Sequence, residues 1–342
     1  MHYPPKPRAG SRVAVISPSA GLPAIFPGPY ELGLRRLRDE FKLEPVEYPT
    51  TRIMGAPPAD RARDVMASFA DPTIDAVLAS IGGNDQLTIL RHLDPAVLRA
   101  NPKPFFGYSD NTTLLNYLSG LGIVGYHGGS VMVQLGRAGA LHPITRDSLT
   151  AALFGSDWFE LTASPDYSDE PVDWGTPDYA SASEPMFPAA GWIWHGGPAS
   201  PVTGPLWGGN IEVLTWLLAA DKVAAPPPGA IFFTETSEDM PPAIEVYYML
   251  RNLGERGWLS GVPAILVGRA KCWERTNQLS PSAKQAYADD QRAAVLRAAG
   301  EYAPDAVVVF DLDIGHTDPQ QILPYGGEAR VDAEARRISV RY

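Results

Sequence analysis

The stretch KPFFGYSDNTTLLNYL, residues 103–118, decides how the chain is to be read. An apolar run, Pro104-Phe105-Phe106, stops at Gly107-Tyr108-Ser109-Asp110, and a helix-like pattern follows. A strand–turn–helix with a serine at the corner has two readings. Ser109 either caps the helix or is a nucleophile held out on a sharp turn. Outward from this corner the same alternation repeats. RVAVISPS (Arg12 to Ser19) reads as a buried strand entering a turn, and IDAVLASIGG (Ile74 to Gly83) as another. YELGLRRLRDEF carries Leu34, Leu37 and Phe41 at helical spacing, and DRARDVMASFAD does so with Val65, Met66 and Phe69. Strands alternating with amphipathic helices specify an α/β layer with a mostly parallel sheet.

The second half resumes this order. GAIFFTE, PAILVGRAK and DAVVVFDLDIGH read as buried strands. PPAIEVYYMLRNLGERG reads as a helix with Gly254 near its end, and SPSAKQAYADDQRAAVLRAAG as one with Ser280 as N-cap and Gly300 at its C-terminal side. GEARVDAEARRISVRY reads as a terminal β-hairpin. Between the halves, residues 147–221 contain no Lys or Arg, and SPDYSDEPVDWGTPDYASASEP is acidic and rich in Pro and Ser. The expected organisation is an N-terminal α/β domain over 1–150, a linker or covering loop over 151–200, and a C-terminal α/β domain over 201–342. Trp158, Trp174, Trp192 and Trp194 lie in that segment, either as packing or as an aromatic wall for a substrate.

Bulk composition narrows the function classes. The chain has 342 residues, 45% hydrophobic, which is ample for two cores. A net charge of -11 argues against nucleic acid and anionic membranes as partners. The single cysteine, Cys272, excludes an internal disulfide and fits a reducing compartment. The N-terminal stretch MHYPPKPRAGSRVAVISPSAG lacks a basic-then-apolar leader pattern, and no apolar run approaches the roughly 18 residues of a membrane span. The expectation is a soluble, cytoplasmic protein.

Three apolar strands end in polar groups that a buried strand does not need: Ser109 after PFF, Glu235 after AIFFT, and His316 after VVVFDLDIG. Ligands of open parallel sheets bind outside the carboxyl ends of the strands. Ser, Glu and His are the parts of a nucleophile, an orienting acid and a base. Glu238 and Asp239 are alternative acids, and His127 in GYHGG is an alternative base. Gly82 and Gly83 in SIGGND, with the N–H of Asp110, offer backbone donors for an oxyanion. The Gly82-Gly83 turn carries no G-x-G-x-x-G, and the chain has no Walker, H-E-x-x-H or C-x-x-C pattern, so neither a nucleotide cofactor nor a metal is expected. Asn111 stands where a G-x-S-x-G elbow has its second glycine, which argues against the α/β-hydrolase superfamily. A binding protein with two lobes around a small ligand is the rival from another class, and an amidase using Cys272 is a third reading.

GYSD at 107–110, GGN at 208–210, FFTETSED at 232–239 and DIGHTDPQQILPYG at 313–326 resemble the serine LD-carboxypeptidase family (peptidase family S66), which includes murein tetrapeptide carboxypeptidases and microcin C self-immunity hydrolases. The likeness runs from RVAVISPSAG to the terminal hairpin. It implies two α/β domains, a Ser-Glu-His triad at Ser109, Glu235 and His316 assembled between them, no cofactor, and a homodimer. The segment LTASPDYSDEPVDW followed by GWIWHGG looks like the inter-domain loop of the self-immunity branch. That branch cleaves an amide or acyl-sulfamate bond between an amino acid and a nucleotide. The likeness points to Trp192 or Trp194 as a stacking partner for a base and to Asn210 as a substrate contact. The implied partner is a small peptide or peptidyl nucleotide; release of D-Ala from a murein tetrapeptide is the alternative. Some members carry a basic residue shortly after the acid, suited to an acidic side chain. Here that segment is TSED.

Overall fold

The GYSD corner sits at the carboxyl end of a strand inside one sheet that runs through both halves of the chain. The computed structural model describes residues 1–198 and 200–342. Its strands are β1 (Arg12–Ile16), β2 (Glu44–Glu47), β3 (Ile74–Ala79), β4 (Phe105–Gly107), β5 (Gly125–His127), β6 (Trp158–Glu160), β7 (Asp166–Tyr167), β8 (Phe187–Pro188) and β9 (Ile193–His195). The C-terminal half adds β10 (Val202–Asn210), β11 (Ile231–Glu235), β12 (Ala264–Gly268), β13 (Trp273–Glu274), β14 (Asn277–Gln278), β15 (Val307–Leu312), β16 (Leu323–Tyr325), β17 (Glu328–Asp332) and β18 (Arg337–Arg341). The helices are α1 (Pro27–Asp39), α2 (Pro58–Ala70), α3 (Pro95–Ala100), α4 (Thr112–Gly120), α5 (Pro143–Phe154), α6 (Ile211–Ala219), α7 (Ala243–Glu255) and α8 (Pro281–Tyr302).

The sheet order is β2-β1-β3-β4-β5-β16-β10-β11-β12-β15-β9. The first five strands pair in parallel, as do β10, β11, β12 and β15. The two parallel blocks are joined through β16, which pairs antiparallel with β5 and parallel with β10. This is the expected two-domain α/β fold with a mostly parallel sheet. The expected terminal hairpin is β17–β18, and it continues antiparallel onto β6.

Local chemistry accounts for the elements. Val13, Ala14, Val15 and Ile16 of β1 are buried on both faces, as a covered parallel strand requires. Pro27, Pro58 and Pro281 open their helices at a position where the missing N–H costs nothing. Ser280 caps α8 by accepting from the Ala283 N–H at 3.3 Å. Gly300, expected near the end of α8, lies inside it, since the helix runs on to Tyr302. The stretch VTGPLWGGN forms the long strand β10 despite Pro205 and three glycines. Its first half pairs antiparallel with β17 and its second half parallel with β11. Pro205 stands where the partner changes. Gly208, at φ 149°, lies so close to Phe233 that a Cβ would run into its carbonyl.

The acidic segment is woven into the structure. Its β6 extends the hairpin sheet, β7 pairs with β8, and β9 forms the antiparallel edge next to β15. Among the described residues no helix is long and apolar enough to cross a membrane.

Candidate active site

Ser109 stands just past the end of β4, at the head of a short 3-10 turn, Ser109–Asn111, that leads into α4. Its side chain caps neither element. Its φ is 62°, the left-handed region that a non-glycine residue adopts only when its surroundings impose it. The capping reading of this serine is therefore not the structure's. Five hydrogen bonds hold the corner. The Asn111 amide donates to the carbonyls of Tyr108 (3.0 Å) and Ile81 (3.1 Å). Gln86 Nε2 donates to Asn111 Oδ1 at 2.9 Å. The buried Asp110 carboxylate accepts from Ser19 Oγ and from the Gln86 N–H. Burial pushes the Asp110 pKa up, and these donors work against that shift.

Gly82 lies directly against the serine. A Cβ there would be 3.0 Å from Ser109 Oγ and 3.4 Å from the Asp110 nitrogen. The turn therefore brings bare backbone to the hydroxyl. Gly82 accepts at its carbonyl from Ala20 N–H at 3.2 Å, while the N–H groups of Gly82 and Gly83 donate to no protein group among the described residues. Of the two, Gly82 is the one that faces Ser109, while the Gly83 position faces Ser19 and Ala20.

The imidazole comes from the other half of the chain. His316 lies in the loop after β15, and Glu235 is the last residue of β11. His316 Nδ1 meets Glu235 Oε2 at 2.5 Å, with both side chains buried. Burial alone would lower the His316 pKa. The Glu235 charge reverses this, Glu238 and Glu212 add to it, and the result is a pKa raised to about 9. Burial would likewise raise the Glu235 pKa, but the facing imidazolium holds it below the usual carboxylate range. The Tyr108 ring lies 4.9 Å from the His316 ring, so the residue preceding Ser109 touches the imidazole across the seam between the two blocks. No hydrogen bond joins Ser109 Oγ to the ring among the described residues. Nε2 instead faces Glu238 Oε2 at 3.3 Å.

The alternatives read from the sequence take other places. His127 is fully buried on β5, with Nε2 3.0 Å from the Ile314 carbonyl, and burial lowers its pKa to about 4. Glu238 lies against the outer nitrogen of His316, not the inner one. Asp239 binds Ser237 Oγ through its N–H. Asn210 caps α6 by accepting from the Val213 N–H at 3.0 Å. It stands in register beside Glu235 and favours the charged carboxylate, although the contact falls outside hydrogen-bond geometry. Trp192 Nε1 donates to Asp313 Oδ2 at 3.3 Å, and Trp194 pairs with Val309 on edge strand β9. Burial pushes the Cys272 thiol up to about 12, which leaves it a poor nucleophile. Among the described residues no cluster of His, Cys, Asp or Glu is placed to hold a metal ion.

Sequence reasoning missed the residues that hold the His316 loop. Gln320 donates to the Gly315 carbonyl at 2.9 Å and accepts from the Gly129 N–H at 3.2 Å. Asp313 accepts from the Ser164 N–H at 3.1 Å as well as from Trp192. Arg137 binds Asp318 at 2.8 Å. Asp313, Asp318 and Gln320 all sit within the DIGHTDPQQ stretch already singled out around His316.

Fold and site thus define a two-block α/β protein with a strained serine on one block and a His–Glu pair on the other. Residues 13–128 match the model of the LD-carboxypeptidase N-terminal domain, and residues 203–331 that of the LD-carboxypeptidase C-terminal domain. The chain belongs to this S66 peptidase family. The microcin C7 self-immunity protein MccF of Escherichia coli is 26% identical over 82% of this chain and 78% of its own length. A Streptomyces coelicolor protein, named provisionally as a carboxypeptidase, is 28% identical over 97% of this chain and 93% of its own. The structure of MccF in complex with glutamyl sulfamoyl guanosine superposes with a TM-score of 0.84, at 21% identity, over 99% of this chain and 98% of that one.

Proposed function

We propose that this chain is a serine hydrolase of the self-immunity type, which cleaves the amide or acyl-sulfamate bond of a small aminoacyl or peptidyl nucleotide. The observation that carries the reading is the pairing across the seam. A serine with φ 62° and no capping role stands against the bare Gly82 backbone, and its neighbour Tyr108 contacts an imidazole whose inner nitrogen is held by Glu235. The resemblance to MccF, whose structure holds a sulfamoyl nucleotide, supports this substrate class.

In this mechanism His316 Nε2 takes the proton of Ser109 Oγ as the oxygen attacks the scissile carbonyl. Glu235 holds the ring with Nδ1 protonated and stabilises the imidazolium. The N–H groups of the Gly82-Gly83 turn and of Asp110 receive the oxyanion. His316 then returns its proton to the leaving group. A water, deprotonated in the same way, releases the acyl chain and frees Ser109.

Gly82→Ala tests the oxyanion site. The new methyl would press on the nucleophile, so kcat should fall by about a hundredfold or more, while the melting temperature drops by only a few degrees, as overpacking at one position predicts. An unchanged kcat would remove Gly82 from the site.

The substrate is tested by mass spectrometry of aminoacyl sulfamoyl adenosines beside a murein tetrapeptide ending in D-Ala, with Ser109→Ala as control. Serine-dependent cleavage of the conjugates alone is the expected result. Release of D-Ala alone would favour the murein reading, which the two matching LD-carboxypeptidase domain models support. If neither were cut, a ligand-binding role for the two blocks would replace the hydrolase.

A further inference from the structure

MccF has been seen in complex with a ligand that carries an acidic aminoacyl group, glutamyl sulfamoyl guanosine. The charges around His316 in this chain are arranged for the opposite. After Glu235 the chain reads Thr236-Ser237-Glu238-Asp239, with no basic residue. Glu238 is the side chain that faces the outer nitrogen of the imidazole, and it remains 56% exposed. Its backbone is fixed on both sides. Glu212 accepts from the Ser237 N–H and hydroxyl at 2.9 and 2.8 Å, and Ser237 in turn accepts from the Asp239 N–H. Further along, Tyr287 and Gln291 of α8 donate to the Pro241 carbonyl. The turn therefore presents the Glu238 carboxylate to the site from a built support.

The nearby cations are already matched by acceptors. Lys271, buried beneath the His316 loop, donates to the Asp169 and His316 carbonyls. Arg137 is paired with Asp318 and Glu184, and Lys284 with Asp169 and Glu170. Arg269 is paired with Asp313, and Arg292 with Asp311 and Asp289. None of these is left over to receive a substrate carboxylate, whereas Glu238 is an accessible anion beside the reacting atoms.

We propose that Glu238 is a specificity-determining residue that selects a substrate whose scissile acyl residue carries a positive charge, an ammonium or guanidinium, over one that carries a carboxylate. The inference rests on the hydrolase reading above. A cationic group draws the Glu238 carboxylate off His316 Nε2 and opens that nitrogen to Ser109. An acidic side chain meets like charge instead, with no basic partner to offset it.

The experiment compares lysyl, leucyl and glutamyl sulfamoyl adenosine as substrates of the wild type, Glu238→Gln and Glu238→Lys, and measures the binding of the same three by calorimetry to Ser109→Ala and Ser109→Ala/Glu238→Gln. In the wild type, kcat/KM for the lysyl conjugate should exceed that for the glutamyl conjugate by about tenfold or more, the scale of one partly solvated charge contact. Glu238→Gln should bring the ratio towards one, and Glu238→Lys should invert it. A wild-type preference for the glutamyl conjugate, or a ratio that Glu238→Gln leaves unchanged, would overturn the proposal. The calorimetry separates the two layers. If no conjugate is cut but Ser109→Ala binds the lysyl form more tightly and loses that preference with Glu238→Gln, the specificity assignment stands and the hydrolase reading falls. If none of the three binds, the specificity assignment falls as well.

Discussion

Ser109→Ala is expected to reduce kcat by about 10⁶, and His316→Ala by a similar factor, with the double variant scarcely worse than either. The reason is that attack and proton transfer are one event. Without Oγ there is no acyl-enzyme, and without Nε2 the hydroxyl keeps its proton at neutral pH. A fluorophosphonate probe should label the wild type at Ser109 and leave both variants unlabelled. The strained backbone supplies an independent readout. At φ 62° a side chain costs on the order of 1 kcal/mol that glycine does not pay. Ser109→Gly should therefore melt at or above the wild-type temperature although it is inactive, whereas Ser109→Ala should not gain stability. A Ser109→Ala variant that kept most of its turnover would sink the assignment outright. A Ser109→Gly variant that lost stability would show that the hydroxyl, and not the turn, is what the fold needs at this corner.

The three strand-end side chains were legible because each is polar and ends a run that is otherwise apolar: Ser109 after Phe105 and Phe106, Glu235 after Ile231 to Phe233, His316 after Val307 to Phe310. Burial of those runs makes the polar end conspicuous. Other features carried no such signal. Strand β10 contains Gly204, Pro205, Gly208 and Gly209, which by local preference read as loop. It is a strand because its two halves find different partners, β17 and β11, far apart in the chain. Strands β9 and β16 are three residues each, too short for a periodicity, and their pairing is decided by tertiary contact. Within the site, Glu238 was visible only as a spare acid near Glu235. The Ser237–Glu212 turn places it on the far side of the imidazole, a reversal that chain spacing does not reveal. Trp192 reads from the sequence either as packing or as a wall for a ligand; its indole N–H reaches Asp313, in a loop 121 positions away, a contact that chain spacing does not reveal.

Glu235→Gln is the second large effect, and it carries a signature in pH. Three carboxylates act on His316: Glu235 on Nδ1, Glu238 on Nε2, and the buried Glu212 further off. The other titratable neighbours are Lys271, which donates to the His316 carbonyl, and the Tyr108 ring and His127, which burial keeps neutral. With the His316 pKa raised to about 9, most of the free enzyme holds an imidazolium at neutral pH. Only the neutral ring can accept the Ser109 proton, so wild-type kcat/KM should climb through neutrality, reach half its maximum near pH 9 and level off only above that, where an ordinary histidine would have its midpoint at 6.5. Glutamine removes the nearest negative charge, so the His316 pKa falls and the acid limb moves to lower pH. The plateau falls as well, by about 10⁴, because glutamine can donate to Nδ1 and so favour the tautomer with its proton on Nε2, and because the imidazolium formed during attack loses its counter-charge. An earlier limb with a lower plateau is what distinguishes loss of a charge partner from loss of folding, which would lower the plateau and leave the limb in place. The same shift has a sign for stability. The raised His316 pKa contributes stability that is fully present below about pH 6.5 and is lost as pH rises through about 9. The wild type should therefore melt lower at pH 10 than at pH 6 by more than Glu235→Gln does, and equal losses in the two proteins would show that the pair does not account for the change.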